Sequence, residues 1–371
     1  MVLIIDKGIQ MTVLTDLKAA LADYHDPYLG MDLFSANIVA AMVLEAGCVK
    51  LHLVYPYANA KAHADLKVLF TQLLKKAAAV SVEIIIDVAV QAAEQTSQVD
   101  SLRNVKNILA ISSGKGGVGK STTSINLALA LVAEGAKVGI LDADIYGPSQ
   151  GMMLGVKPGT RPQPLADDKM SPITARGIDS MSIAYMVDTT TPMVWRGPMA
   201  SGAVSQMVNQ TQWGELDYLL IDMPPGTGDI QLTLAQKVPI TAAIIVTTPQ
   251  DIALLDASRG IEMFRKVDIP VLGVIENMSV HICSNCGHQE HIFGAGGGQR
   301  IATDYQSELL GALPLDIEIR RQADSGLPAN IADSEGPVAL IYQDLARKTA
   351  ARLHQLSRAS KKGPVLSVVD D

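Results

Sequence analysis

One short stretch, residues 112–122, constrains the fold of this chain more than any other part of it. It is Ser-Ser-Gly-Lys-Gly-Gly-Val-Gly-Lys-Ser-Thr, and it contains the pattern G-x-x-x-x-G-K-S. Glycines at this spacing let backbone N–H groups converge on phosphate oxygens when a buried strand precedes the loop and a helix follows it. Residues 105–111 are apolar like a buried strand, and residues 122–134 are rich in alanine and leucine. The sequence therefore predicts a phosphate-binding loop between a strand and a helix.

The residues of this phosphate loop have separate expected roles. Lys120 should reach the β- and γ-phosphates of a nucleotide, and the Ser121 hydroxyl should ligate Mg²⁺. Lys115, just inside the first glycine, is a second lysine that the general pattern does not require. The predicted nucleotide-binding residues of the loop are Gly114, Lys115, Gly116, Gly117, Val118, Gly119, Lys120, Ser121 and Thr122.

Composition limits the classes of protein to which such a loop can belong. The 371 residues suffice for two domains, and 48% hydrophobic content with only 4% aromatic residues favours tightly packed α/β layers. A formal net charge of −8 argues against general attraction to nucleic acid. Three cysteines, no secretory signal pattern and no apolar run approaching about 18 residues predict a cytoplasmic protein without stable membrane association.

The chain divides into two predicted domains and a tail. Residues 12–90 have the helix and strand patterns of a small α+β domain, and the polar, aperiodic residues 91–104 indicate a linker. Residues 105–350 form the large domain, and residues 351–371 form a basic and then flexible tail. Apolar runs alternate with helical segments in the large domain, which predicts a doubly wound, mostly parallel α/β sheet. The predicted strands beyond the phosphate loop are residues 138–141, 218–221, 243–246 and 271–275.

Carboxylates follow two of these predicted strands. Asp142 and Asp144 come after the strand at 138–141, and Asp222 comes after the strand at 218–221. Ligands of open parallel sheets bind at the carboxyl ends of the strands, so these side chains are expected near the phosphates. Asp222 has the Mg²⁺-holding position of P-loop NTPases, while Asp142 could hold the Mg²⁺ shell and Asp144 could orient the attacking water. The alternative for Asp142 and Asp144 is that they cap the following turn.

A pair of cysteines follows the last of these strands. Cys283 and Cys286 form a C-x-x-C motif, and two thiolates at this spacing can face one metal ion or one cluster. The third cysteine, Cys48, lies in the other domain, so a four-cysteine site requires two chains related by a twofold axis. A mononuclear zinc site with nearby histidines is one alternative, and a thiol–disulfide couple is another.

The phosphate loop with its extra lysine resembles a known family. Lys-Gly-Gly-Val-Gly-Lys-Ser, beginning at Lys115, is similar to the deviant loop of the family that includes the nitrogenase iron protein and the partitioning and division-site ATPases. The resemblance implies a nucleotide-bridged homodimer in which Lys115 contacts the partner's nucleotide. It also implies catalytic roles for Lys115, Lys120 and Asp144, with Asp144 activating water. Asn277 matches the adenine-contacting asparagine of the family, which favours ATP over GTP; its alternative is a turn residue at a strand end.

From residue 105 to about 350, the chain resembles the Mrp/ApbC family of P-loop iron–sulfur cluster carriers. The similarity runs through Asp-Ala-Asp-Ile-Tyr-Gly-Pro-Ser, Trp-Arg-Gly-Pro-Met, Asp-Met-Pro-Pro-Gly-Thr-Gly-Asp and Cys-x-x-Cys-Gly. It implies slow ATP hydrolysis with Mg²⁺ and a labile [4Fe–4S] cluster held by Cys283 and Cys286 of two subunits. The implied partners are apo iron–sulfur proteins as recipients and a cluster-assembly scaffold as a candidate donor. Arg196, in the Trp-Arg-Gly-Pro-Met stretch, is a candidate contact to phosphate or to a partner.

The small domain departs from the pattern of related assembly factors. Tyr28 follows Asp26-Pro27 where those factors have an acid, and Tyr57-Ala58-Asn59 stands where relatives often have Pro-Ala-Cys. We therefore expect this domain to be a docking or regulatory module. For the whole chain, the alternative function is a positioning or partitioning switch ATPase with a structural metal site, which would bind a membrane or a nucleoid.

Overall fold

The computed structural model describes residues 9–93, 99–187, 197–283 and 285–361 of the chain. The chain divides into two compact units. One unit extends to Gln91 and includes the end of the chain from Ala350, and the other comprises residues 92–349. Each unit contains a β-sheet of its own.

In its part up to Gln91, the small unit has a three-stranded sheet with one helix before the first strand and another between the second and third strands. Its elements are α1 (Ile9–Ala22), β1 (Val39–Glu45), β2 (Cys48–Tyr55), α2 (His63–Ala77) and β3 (Ser81–Val88). Strands β1 and β2 form an antiparallel hairpin, and β3 pairs with β2 in the parallel direction. Ala46 and Gly47 between the hairpin strands both have positive φ, the conformation that a two-residue type I′ turn requires.

Asp26 of this unit builds a turn with its carboxylate. Its Oδ1 accepts hydrogen bonds from the backbone N–H of Tyr28 at 3.0 Å and of Leu29 at 2.8 Å. Its Oδ2 accepts one from the Tyr57 hydroxyl at 2.8 Å, and the residue is only 2% exposed. Both oxygens are therefore engaged inside the protein, which explains Asp-Pro-Tyr-Leu-Gly as a structural motif in this chain.

The large unit contains an eight-stranded sheet flanked by helices. The elements of this unit are β4 (Val105–Ser112), α3 (Lys120–Ala133), β5 (Val138–Asp142), α4 (Gln150–Met153), β6 (Ile173–Ala175), β7 (Ile178–Ser182), α5 (Gly197–Gln210), β8 (Leu216–Asp222), α6 (Asp229–Lys237), β9 (Ala242–Thr247), α7 (Asp251–Lys266), β10 (Val271–Glu276), β11 (His281–Ile282), β12 (Gln289–Glu290), α8 (Gly297–Asp304), β13 (Leu309–Ala312), α9 (Ile317–Asp324), α10 (Ala329–Ala332) and, as far as Thr349, α11 (Pro337–Lys361).

The strand order of this sheet is β13-β10-β9-β4-β8-β5-β7-β6. Seven strands run parallel, and only the edge strand β6 pairs in the antiparallel direction. The central strands β8 and β9 are almost wholly buried, as expected for apolar strands covered on both faces by helices. The predicted doubly wound, mostly parallel fold is thereby confirmed, and the predicted phosphate loop joins β4, at the centre of the sheet, to α3.

Helix α11 is continuous across residue 350, where the large domain is predicted to end. Residues 345–355 contain no glycine or proline that would end a helix there. The predicted tail therefore begins inside a helix, and its residues 362–371 lie outside the described part of the chain. Within that part, the structure has no helix whose length and hydropathy would let it cross a membrane.

A buried ion pair anchors α11 to the end of α3. Arg347 donates from Nε to Glu134 Oε1 at 2.8 Å, and its Nη2 lies 2.7 Å from the same oxygen of a fully buried carboxylate. We expect Arg347→Ala to lower the free energy of unfolding by about 3–5 kcal/mol, because it removes one partner of a buried ion pair. Arg320→Ala, which breaks an exposed pair with Asp324, should cost less than about 1 kcal/mol. If urea denaturation gives the same decrease in the free energy of unfolding for both variants, this prediction is wrong.

Candidate functional site

The phosphate loop lies between the end of β4 and the first turn of α3. Backbone conformation at two of its glycines and close packing at a third require residues without a side chain. Gly117 and Gly119 have φ of +82° and +80°, a left-handed conformation that favours glycine. A Cβ atom on Gly114 would lie 2.1 Å from the backbone carbonyl of Asp256 in α7, so no larger residue fits there. The loop is also tied to the segment after β8, because the Gly226 N–H donates to the Ser113 carbonyl at 3.0 Å.

Lys120 and Asp222 form a buried ion pair at the base of this loop. Lys120 Nζ lies 2.5 Å from Asp222 Oδ1 and 3.3 Å from the Ser121 hydroxyl. The side chains of Lys120 and Asp222 are 5% and 0% exposed. Ser124, one helical turn after Lys120, donates its hydroxyl to the same carboxylate oxygen at 3.1 Å. The predicted phosphate-binding lysine, Mg²⁺-binding hydroxyl and Mg²⁺-holding acid thus belong to one hydrogen-bonded group.

Asp142 lies beside Asp222 in the sheet and is fully buried. Its Oδ2 accepts hydrogen bonds from the backbone N–H of Ser149 at 2.9 Å and of Gln150 at 3.1 Å, and from the Ser182 hydroxyl at 3.2 Å. Burial, reinforced by the charge of Asp222, raises the pKa of Asp142 to about 7. In this arrangement Asp142 caps the turn that leads into α4, which is the alternative role named above. Its contact with the Mg²⁺ shell remains a prediction.

Asp144 differs from Asp142 in its exposure. It is only partly buried, and its Oδ1 accepts a hydrogen bond from the Gly147 N–H at 3.2 Å. Burial is the main cause that raises the pKa of Asp144 above its usual value, against the lowering effect of Lys120. A carboxylate with a raised pKa next to the phosphate loop has the properties expected of a residue that orients or activates water.

Asn277 follows β10 and contacts the phosphate loop directly. Its Nδ2 donates to the Val118 carbonyl at 2.8 Å, and its Oδ1 accepts from the Met278 N–H at 3.0 Å. A Cβ on Gly119 would lie 2.2 Å from this Nδ2, so the two segments are in tight contact. The structure therefore places Asn277 against the loop, while its contact with adenine stays a prediction. Lys115, the extra lysine of the loop, is partly exposed.

Sequence reasoning missed two buried glutamines of this site. Gln150 donates from Nε2 to Asp222 Oδ2 at 2.7 Å and to the Ser121 carbonyl at 3.1 Å. Gln231 in α6 donates to the Ser112 hydroxyl at 3.4 Å and also bonds the Pro224 carbonyl in the loop after β8. Neither residue belongs to a recognisable motif. Ser124, by contrast, could have been found, because its spacing of four from Lys120 places both on one face of a helix.

The two cysteines lie in the loop of a small hairpin. Strands β11 and β12 pair in the antiparallel direction, and the Cys283 N–H donates to the His288 carbonyl at 2.9 Å. Cys283 is half-buried and Cys286 is exposed. Hydrogen bonds from the backbone N–H groups of Asn285 and then Cys286 lower the pKa of the Cys283 thiol. The pair is therefore accessible, and the lowered pKa of Cys283 favours the thiolate form that binds metals and clusters.

The neighbouring histidines do not complete a metal site in the described part of the chain. His281 Nδ1 lies 3.1 Å from the Leu315 carbonyl, and His291 Nδ1 lies 2.6 Å from the Ser279 carbonyl. No group of three histidine, cysteine, aspartate or glutamate side chains is placed to hold a metal ion among the described residues. Trp195 and Arg196, part of the motif named above, lie outside the described residues.

A glycine-rich loop at the carboxyl edge of a mostly parallel sheet, with a buried lysine and aspartate behind it, defines a P-loop NTPase. The model of the NUBPL iron-transfer P-loop NTPase family matches residues 104–350. The chain belongs to this family, which confirms the resemblance derived from the motifs.

Individual relatives agree with this assignment. The chain is 67% identical over 251 residues to an iron–sulfur cluster carrier protein of Pseudomonas fragi, a match that covers 67% of this chain and 87% of the relative. It is 49% identical over 339 residues to the iron–sulfur cluster carrier protein of Escherichia coli, a match that covers 91% of this chain and 92% of the relative. A nucleotide-binding protein of Archaeoglobus fulgidus, solved in complex with ADP, superposes with a TM-score of 0.56 at 35% identity. The superposition covers 65% of this chain and 93% of that protein.

Proposed function

We propose that this protein is an ATP-hydrolysing carrier that holds a labile [4Fe–4S] cluster at a homodimer interface and transfers it to apo iron–sulfur proteins. One observation carries the proposal: a single short segment connects the phosphate loop to the accessible cysteine pair. Asn277 at the start of this segment bonds the loop at Val118, and Cys283 lies six residues further on. A change at the phosphates can therefore reach the cysteines through few residues.

The nucleotide part of the proposal rests on the residues of the loop. Residues 114–122 would hold the phosphates of ATP, with Lys120 moving its charge from Asp222 to the β- and γ-phosphates. The Ser121 hydroxyl and the Asp222 carboxylate are hard oxygen donors of the kind that Mg²⁺ prefers, so they fit the metal. Mg²⁺ would neutralise the charge that develops on the phosphates. Asp144 would orient the attacking water, and Lys115 would act on the nucleotide of the partner.

The cluster part of the proposal treats the [4Fe–4S] cluster as cargo. Cys283 and Cys286 of two subunits supply the four thiolates that such a cluster needs. Ligation by an accessible pair from each chain suits release, because a small relative motion of the subunits would loosen it. A cluster-assembly scaffold is the proposed donor, the small unit is a proposed docking or regulatory module, and the cytoplasm is the proposed compartment.

Anaerobic reconstitution with ferrous iron and sulfide tests the proposal. We expect a [4Fe–4S] signal in the Mössbauer spectrum at one cluster per dimer, with the dimer mass confirmed in solution. The expected result follows from the two thiols that each chain provides. Stoichiometric zinc without any cluster would contradict the carrier function and favour the switch ATPase with a structural metal site.

A further inference from the structure

Gln150 connects the two buried acids of the nucleotide site. Its backbone N–H donates to Asp142 Oδ2 at 3.1 Å, and its side-chain Nε2 donates to Asp222 Oδ2 at 2.7 Å. The same Nε2 donates to the Ser121 carbonyl at 3.1 Å, and the residue is 0% exposed. Gln150 therefore touches both the acid and the serine that are proposed to hold Mg²⁺, although it lies in neither motif.

These contacts fix the orientation of the carboxamide. Both partners of Nε2, the Asp222 carboxylate and the Ser121 carbonyl, only accept hydrogen bonds. Rotating the amide by half a turn would place Oε1 against two other oxygens, which is repulsive. The hydrogen bonds of Nε2 therefore also fix the direction in which Oε1 of the same carboxamide points.

This oxygen, Gln150 Oε1, is buried and has no hydrogen-bond donor within the part of the chain that the structure describes. Buried polar atoms are nearly always hydrogen-bonded, so an orphan acceptor inside a nucleotide site points to a missing donor. Mg²⁺ in phosphate sites usually keeps several water molecules, and these waters are strong hydrogen-bond donors.

We propose that Gln150 is a positioning residue for the magnesium ion: it orients Asp222 and the Ser121 backbone with its amide nitrogen and accepts a hydrogen bond from a metal-bound water with Oε1. The inference rests on the nucleotide part of the proposed function and is independent of the cluster. It gives Gln150 a role in metal affinity, whereas a purely structural role would affect folding alone.

The test measures how Mg²⁺ tightens the binding of mant-ATP, a fluorescent nucleotide. Gln150→Met keeps the length and volume of the side chain but removes both polar atoms. We expect it to raise the Mg²⁺ concentration at half-effect by about 10-fold or more, as for other residues that orient metal ligands. Nucleotide affinity measured in EDTA should change by a much smaller factor than the Mg²⁺ concentration at half-effect. Gln150→Asn, which keeps a carboxamide in the cavity but is one methylene shorter, should show the same shift.

Gln343→Met is the matched control. Gln343 is also buried, and its Nε2 bonds a backbone carbonyl, that of Ser334 in the segment before α11. It should leave the Mg²⁺ dependence unchanged. The inference is overturned if the Gln150 variants keep the wild-type Mg²⁺ dependence, or if they lose nucleotide affinity equally in EDTA. If the wild-type protein itself shows no Mg²⁺ dependence, the inference fails together with the nucleotide part of the proposed function.

Discussion

Cys286→Ser should abolish cluster binding and cluster transfer while leaving ATP binding intact. Cys286 is exposed in the hairpin loop, so its replacement neither opens a cavity nor leaves a buried polar atom. Cys283→Ser should have the same effect. It should also leave the hairpin folded, because backbone hydrogen bonds hold the hairpin at this residue. The Cys283 N–H bonds the His288 carbonyl at 2.9 Å, and the Cys283 carbonyl accepts from the Gly287 N–H at 2.8 Å.

The measurement is iron and sulfide content after anaerobic reconstitution, followed by activation of an apo iron–sulfur protein. Cys48→Ser is the matched control, since Cys48 is the remaining cysteine and lies in the small unit. It should retain both cluster and transfer. A Cys286→Ser protein that still transfers its cluster would rule out ligation by the hairpin. Loss of ATP binding in the same variant would show that the substitution disturbs more than the cluster site.

The parallel core of the large unit was predictable because its strands are continuous apolar runs. Strands β6 and β7 were not predictable in this way. In β7, for example, Ile-Asp-Ser-Met-Ser at 178–182 is not a continuous apolar run. The two serines of β7 are nevertheless buried, and tertiary partners make this possible. Ser180 donates to the Ile173 carbonyl at 2.8 Å, and Ser182 donates to Asp142 at 3.2 Å. Partners of this kind cannot be inferred from a strand of five residues alone.

The phosphate loop was predictable for a different reason: its pattern is local, and the strand and helix that it needs are adjacent in sequence. The contacts that complete the site are not local. Lys120 and Asp222 are 102 residues apart, and Asn277 is 159 residues from Val118. Asp222 could still be found because it ends a recognisable strand. Gln150 could not, because nothing near it in the sequence indicates that its amide faces Asp222.

Lys120→Met should remove nucleotide binding and destabilise the ligand-free protein in a pH-dependent way. The first effect follows from the loss of the cation that faces the β- and γ-phosphates. The second follows from the ion pair at 2.5 Å, in which Lys120 is the cation next to Asp222 and Asp142. Removing one partner of a buried pair costs about 3–5 kcal/mol, because the remaining charge stays buried without its counter-ion.

The pH dependence of this loss has a definite sign. The pKa of Asp142 is about 7 in the folded protein, well above its unfolded value, and Lys120 acts to lower it. A raised carboxyl pKa means that the folded state holds a proton which the unfolded state has released, so stability falls as pH rises through the folded pKa. Without Lys120 this pKa rises further. The variant should therefore lose more stability, relative to wild type, at pH 8 than at pH 6.

Urea denaturation at these two pH values, with mant-ATP binding on the same samples, measures both effects. Lys137→Met is the control, because Lys137 Nζ lies 3.5 Å from Glu215 Oε2 and both side chains are mostly exposed. It should cost less than about 1 kcal/mol at either pH, as exposed pairs do. If Lys120→Met lowers the free energy of unfolding equally at both pH values, Lys120 does not stabilise the charged form of Asp142. If the variant still binds mant-ATP, Lys120 does not contact the phosphates. One substitution therefore tests separately the role of Lys120 in phosphate binding and its role in stabilising a buried carboxylate.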